Sequence, residues 1–182
     1  DAIKELSKYI SNSDKIGTKE TMYKYGKDAD NYGRLYQFSS LQHLSKLVRN
    51  TISNEFLHDI DIVNCHPTIL TQKCRKLGLN CDKLQFYVDQ RITVINEVVN
   101  LYKVTPDYAK KLFIRLLNGG SFQQWLTDGA IKGKPNSFIK ELINEITLIQ
   151  DSFWEKYPNL RNGVKKRPSP KASLLARVLN EE

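Results

Sequence analysis

From Pro67 onward, apolar residues recur three and four positions apart in one segment after another, and this helical period restricts the chain to a mainly helical fold. Pro67 suits the first turn of a helix and Gly78 its stop, with Ile69, Leu70, Cys74 and Leu77 on one face. A longer helix is predicted over Asp82 to Tyr102, with Leu84, Val88, Ile92, Ile95, Val98 and Val99 inward. Thr105-Pro106 restarts the chain, and the next helix turns Ala109, Leu112, Phe113, Leu116 and Leu117 to the core. It stops at Asn118-Gly119-Gly120, where a left-handed residue is expected. Ser121 to Leu126 reads as a short helix, and Pro135 opens another through Phe138, Leu142, Ile146, Ile149 and Phe153. A basic loop punctuated by Pro158, Pro168 and Pro170 leads into a last helix that is still running at the end of the sequence.

The first third is less regular. Ile3, Leu6 and Ile10 predict a short amphipathic helix, Ser11 to Asn31 reads as loop, and Ser39 or Ser40 caps a helix carrying Leu41, Leu44, Leu47, Val48 and Ile52. The run Phe56 to Val63 reads as a strand. Its alternation puts Leu57, Asp59, Asp61 and Val63 on one face and Ile60 and Ile62 on the other. Two carboxylates within an apolar run need a cation, a metal or water to meet. Solvent-facing acids on a half-buried strand are the plainer alternative.

A chain of 182 residues with 40% hydrophobic and 26% charged residues can bury a core and forms one domain or a fragment of a larger one. No apolar run is long enough to cross a bilayer and the first residues have no signal-peptide pattern, so an intracellular location is expected. Cys65, Cys74 and Cys81 read as buried or inert thiols, and neither they nor His43, His58 and His66 have the spacing of a zinc site. The net charge is +8. Arg161, Lys165, Lys166, Arg167, Lys171 and Arg177 against Glu181 and Glu182 give a local +4 near the end of the sequence. Such a surface favours phosphate, because Lys and Arg contacts release counterions from nucleic acid. A solvated basic face is the alternative.

Three pieces in order carry a resemblance. Gly33-Arg34-Leu35 through Leu41-Gln42 to Arg49 comes first, then the strand ending at Asp61, then Lys110 and Lys111, nine residues before Gly119 and Gly120 respectively. This order resembles the polymerase core of family A DNA polymerases and single-subunit phage-type RNA polymerases. The strand end Asp61-Ile62-Val63-Asn64-Cys65-His66-Pro67 and the helix end Lys110 to Asn118-Gly119-Gly120 are similar to a divergent polymerase group of viruses and transposons, often joined to a helicase.

The resemblance implies an α+β, mainly helical fold, with a small antiparallel palm-like sheet over about residues 1–65 and fingers-like helices over about 66–182. It implies nucleotidyl transfer by a two-metal mechanism, with Asp61 as a Mg²⁺ ligand and Lys110 or Lys111 at the triphosphate. His66, Arg115, Asn118 and Gly119 would bind the nucleotide; Arg49, Lys165, Lys166, Arg167 and Lys171 would hold a DNA or RNA primer-template. His66 stands where the family A DNA polymerases place a Glu that discriminates the ribose 2′ hydroxyl. A helicase in the same full-length chain is a further expected partner, and no membrane is. The second metal-binding Asp, expected on a later hairpin, does not occur before Glu182, so the 182 residues alone are expected to be inactive. Two other readings stay open: a non-catalytic nucleic-acid-binding replication module, and a metal-dependent nuclease or glycosyltransferase using Asp59 and Asp61.

Overall fold

Thr105, Ser121 and Asn136 each stand just before an apolar-periodic segment, and each side chain accepts a backbone N–H two or three residues into the helix that follows, from Tyr108, Gln124 and Ile139. In the computed structural model of this chain these caps open three of the helices that form its main core. The structure describes residues 2–11, 21–25, 35–37, 40–58, 60 and 62–181, without the side chain of Gln42. The chain divides into two compact units, Asp1–Ile62 and Val63–Glu182.

In the first unit, α1 (Ala2–Ser11) buries none of its residues, and two short strands, β1 (Tyr23–Tyr25) and β2 (Leu35–Gln37), pair antiparallel with Lys24 opposite Tyr36. A 3-10 turn at Leu41–His43 precedes α2 (Lys46–Ser53). The single helix expected from Ser39 to Ile52 is thus interrupted. Leu44 and Val48 are buried, and the Glu5 carboxylate accepts the Ser45 N–H at 3.0 Å, which holds Glu5 below the usual carboxylate range.

The expected palm-like sheet is not confirmed. The two described strands lie at 23–25 and 35–37, the first inside the segment read as loop, and the described residues of the predicted 56–63 strand are turn or irregular backbone. The physical reason is burial. Leu57, Ile60, Ile62 and Val63 are 59%, 86%, 67% and 66% exposed, so neither face of the predicted strand is covered among the described residues.

The second unit is all helix among the described residues: α3 (Cys65–Lys76), α4 (Asp82–Asp89), α5 (Arg91–Tyr102), α6 (Pro106–Leu117), α7 (Phe122–Asp128), α8 (Ser137–Lys156) and α9 (Pro170–Asn180). α8 packs along α9 and α4, α3 along α4 and α9, and α6 against α5, α7 and α8. The core is built from Leu70, Leu84, Val94, Leu112, Phe113, Trp125, Ile139, Leu142, Ile149, Phe153, Leu174 and Leu175. Tyr87 stacks on Phe113 with ring centroids 4.3 Å apart. Trp125 and Tyr108 lock α7 to α6 reciprocally: the indole donates to Tyr108 O at 3.1 Å and the phenol donates to Trp125 O at 2.9 Å.

One predicted helix divides. Asp82 to Tyr102 breaks at Gln90, between α4 and α5. No Gly or Pro marks the break. At its other end, the start of α4 is held from α8, where Glu145 accepts the N–H groups of Lys83 and Leu84 at 3.0 and 2.8 Å. Cys74 and Cys81 are buried as expected, and burial, with the neighbouring Cys81 thiol, pushes the Cys74 thiol up to about 12. No described helix is long and apolar enough to cross a membrane.

Candidate nucleic-acid interface

The end of α6 is a helix stop. Gly119 N–H donates to Leu116 O at 3.1 Å and Gly120 N–H to Arg115 O at 2.8 Å, with Gly119 at φ +79°. Gly119 also lets the start of α9 come close: a Cβ there would lie 2.6 Å from the Ala172 Cβ, and the Ser169 hydroxyl donates to Gly119 O at 3.3 Å. The Asn118-Gly119-Gly120 motif therefore turns the chain and seats α9.

Two concavities flank that junction in the second unit. The first, about 340 Å³, opens between α3, α6 and α9. Pro67, Ile114, Leu117, Leu175 and Leu179 give it apolar walls, and His66, Arg91, Lys110 and Asn118 converge on it from α3, α5 and the α6 end. Asn64, left-handed at φ 57°, starts α3 at its wall. Arg91 holds its Nε buried with no hydrogen-bond partner among the described residues. Burial pushes the adjoining Tyr87 phenol up, against the pull of the Arg91 guanidinium.

The second concavity, about 410 Å³, lies between the end of α8 and the start of α9, lined by Gly119, Gln150, Trp154, Lys165, Ser169, Pro170, Lys171 and Ala172. Beside it runs the turn between α8 and α9. Arg161 anchors this turn: its Nε donates to Trp154 O at 2.8 Å, its guanidinium meets Glu155 at 3.1 Å and lies 5.3 Å from the Trp154 ring centre. Val164, 1% exposed, pins the middle of the turn to the core. The N–H groups of Val164 and Lys165 donate to Arg161 O, and that of Arg167 to Val164 O. Lys165, Lys166 and Arg167 are exposed on this fixed backbone, and none has an acidic partner among the described residues. Lys171, by contrast, is paired with Asp151 at 2.5 Å.

The residues singled out from sequence are therefore distributed among several places. His66, Lys110 and Asn118 meet in the first pocket, and Gly119, Lys165 and Lys171 in the second groove. Lys111 lines neither and lies 5.6 Å over the Tyr108 ring. Arg115, expected to supply positive charge to a nucleotide, is bound to Asp128 at 2.5 Å. Gln124 and Arg115 hold Asp128 below the usual carboxylate range. Lys110 pairs with Asp107 at 2.9 Å and lowers it likewise. Arg49 belongs to the first unit, in a cavity of about 320 Å³ with Leu41, Asn50, Ser53, Asn54, Leu57 and His58. Asp59 and Asp61, the latter expected to bind Mg²⁺, lie outside the described residues, as do Gly33 and Arg34. Among the described residues no group of three or more His, Cys, Asp or Glu could hold a metal ion.

Arg91 and Trp154 were not singled out as site residues, and Arg161 was counted only as part of the basic run. For Trp154 a signal was present, an aromatic residue just upstream of that run. For Arg91 there was none, because only the fold brings α5 to the pocket.

No family model matches the chain, and no solved structure matches it. A relative named "Putative helicase V13", from Sputnik virophage, is 32% identical over 159 residues, which cover 85% of this chain and 20% of the relative. The chain thus spans about a fifth of the length of the curated relative it matches. This finding overturns the polymerase resemblance: the relative carries a helicase name, and neither membership of the polymerase group nor nucleotidyl transfer is supported for this chain. The viral setting fits; the polymerase assignment is corrected.

Proposed function

We propose that this chain is a nucleic-acid-binding module, with no nucleotidyl-transfer chemistry of its own, that serves a helicase-related replication protein. The observation that carries this reading is the turn pinned by Val164 and Arg161, which holds Lys165, Lys166 and Arg167 exposed and without acidic partners among the described residues. A solvated basic face gains little from a fixed backbone. A phosphate-binding face gains directly, because cations ordered beforehand lose less freedom on binding. The net charge of +8 and the helicase-named relative support the same reading. The assignment is to strand binding rather than strand separation: the phosphate loop G-x-x-x-x-G-K-[ST] does not occur in the 182 residues.

The first pocket adds a second contact, favoured by the convergence of His66, Arg91, Lys110 and Asn118 around apolar walls. It would hold one nucleotide unit of the bound strand, its phosphate toward Arg91 and Lys110 and its base against Ile114, Leu117 and Leu175.

Fluorescence anisotropy of a labelled oligonucleotide titrated with the 182-residue chain tests the reading. Affinity should fall steeply with salt, the logarithmic slope dropping by about 3 when Lys165, Lys166 and Arg167 are all replaced by Ala. An affinity indifferent to salt, or unchanged in that variant, contradicts it.

A further inference from the structure

The basic turn answers to any polyanion, whereas the groove beside it is more selective. Trp154 lines that groove with Pro170, Ala172 and Gly119, and is only partly buried at the end of a helix where its neighbour Phe153 is in the core. The Arg161 guanidinium lies 5.3 Å from the centre of the indole ring and its bond to Trp154 O holds the backbone beneath it; Lys165 lines the same groove, while Lys171 there is held by Asp151. Gln150 adds an amide able both to donate and to accept. An aromatic platform edged by cations suits a base whose face is open and whose phosphates run alongside. Duplex bases have their faces stacked on one another and expose only edges.

We infer that the groove between α8 and α9 is a stacking site for one unpaired base, with Trp154 as the platform, so that this chain prefers single-stranded over double-stranded nucleic acid. The inference rests on the reading of the Lys165–Arg167 turn as a phosphate-binding surface and deepens it. The turn supplies affinity for both forms; Trp154 supplies the difference between them. Stacking and phosphate contact leave the sugar unread, so single-stranded DNA and RNA are both occupants by chemistry.

The indole itself reports on the site. Trp125 is 1% exposed in the core, which leaves Trp154 as the tryptophan able to sense a ligand. Titrating the 182-residue chain with oligo-dT or oligo-U of about 20 nucleotides should quench its emission, while a duplex of the same length should not. Trp154→Leu should weaken single-strand binding roughly tenfold and leave duplex binding within about twofold. Trp154→Phe should keep single-strand affinity within about threefold while abolishing the quench, which separates stacking from loss of fold. Unequal affinity for oligo-dT and oligo-U with quenching by both also supports the site and identifies its polymer. The inference is overturned if single strands leave the emission unchanged, or if Trp154→Leu weakens both forms equally. Its failure is distinguishable from failure of the underlying reading: replacing Lys165, Lys166 and Arg167 with no loss for either form sinks the phosphate surface, whatever Trp154 does.

Discussion

Two sets of cations in the second unit differ in what they already hold. On α6, Lys110 is paired with Asp107, Lys111 lies over the Tyr108 ring and Arg115 is bound to Asp128. On the turn between α8 and α9, Lys165, Lys166 and Arg167 hold no acid among the described residues, although the backbone beneath them is pinned by Val164 and Arg161. A cation with an acidic partner must lose that partner before it can serve a ligand, whereas an exposed cation on ordered backbone gives up only bulk water. The comparison makes α6 a scaffold with one residue, Lys110, at the edge of a pocket, and makes the turn the proposed phosphate-binding surface.

The largest expected effect bears on the scaffold side. Trp125→Ala removes the indole that locks α7 to α6 and leaves a cavity beside Tyr102 and Phe122, at a cost of about 3–5 kcal/mol. Chemical denaturation should show the whole second unit weakened. A loss below about 1 kcal/mol would mean that α6 is not held as described. On the surface side, Lys110→Ala should weaken oligonucleotide binding by a few fold, about what one phosphate contact is worth, with the salt slope down by about 1.

The pairings on α6 can also be probed by pH. The folded pKa values of Asp107 and Asp128 are lowered, so their contribution to stability is present above the unfolded pKa and is lost as pH falls through the lowered folded values, below about pH 4. Asp128→Asn should flatten that part of a plot of Tm against pH; an unaltered acid limb would show that the Arg115 pairing contributes nothing. Cys74 works in the opposite sense. Its folded pKa is raised to about 12, so stability is complete below the ordinary thiol value and declines as pH rises toward 12. Cys74→Ala should remove that decline, read from unfolding midpoints on the alkaline side.

Much of the second unit was legible because its helices are set by a burial period that each segment carries within itself. Thr105-Pro106, Ser121 and the Gly119 stop are local chemistry, and they fall where the sequence puts them. The break at Gln90 was not legible, because no Gly or Pro marks it; nor was the hold on the start of α4, where the acceptor is Glu145, some sixty residues away. The run from Phe56 to Val63 misled for a related reason: apolar composition implies a strand only when a second surface covers it, and Leu57, Ile60, Ile62 and Val63 are exposed.

The candidate site shows the same division. Lys165, Lys166 and Arg167 could be counted as charge from the sequence, but whether a cation is engaged depends on acids supplied by tertiary structure. Arg115 finds Asp128 from α7, and Lys171 finds Asp151 from α8. Read without those acids, Arg115 and Lys171 looked as available as Lys165. Lys110 to Gly120 has the Lys-to-Gly spacing that carried the polymerase resemblance, and the fold uses much of it for a stop, an ion pair and a close helix approach.

The most direct test sets the two groups of cations against each other in one assay. Oligonucleotide binding should be measured across salt concentrations for the parental chain, for Lys111→Ala with Arg115→Ala, and for the Ala replacement of Lys165, Lys166 and Arg167. The α6 double variant is expected to bind within about twofold of the parent with an unchanged salt slope, and the turn variant to lose at least tenfold with a slope smaller by about 3. Equal losses in both, or a loss confined to the α6 variant, would contradict the assignment of the turn as the working surface.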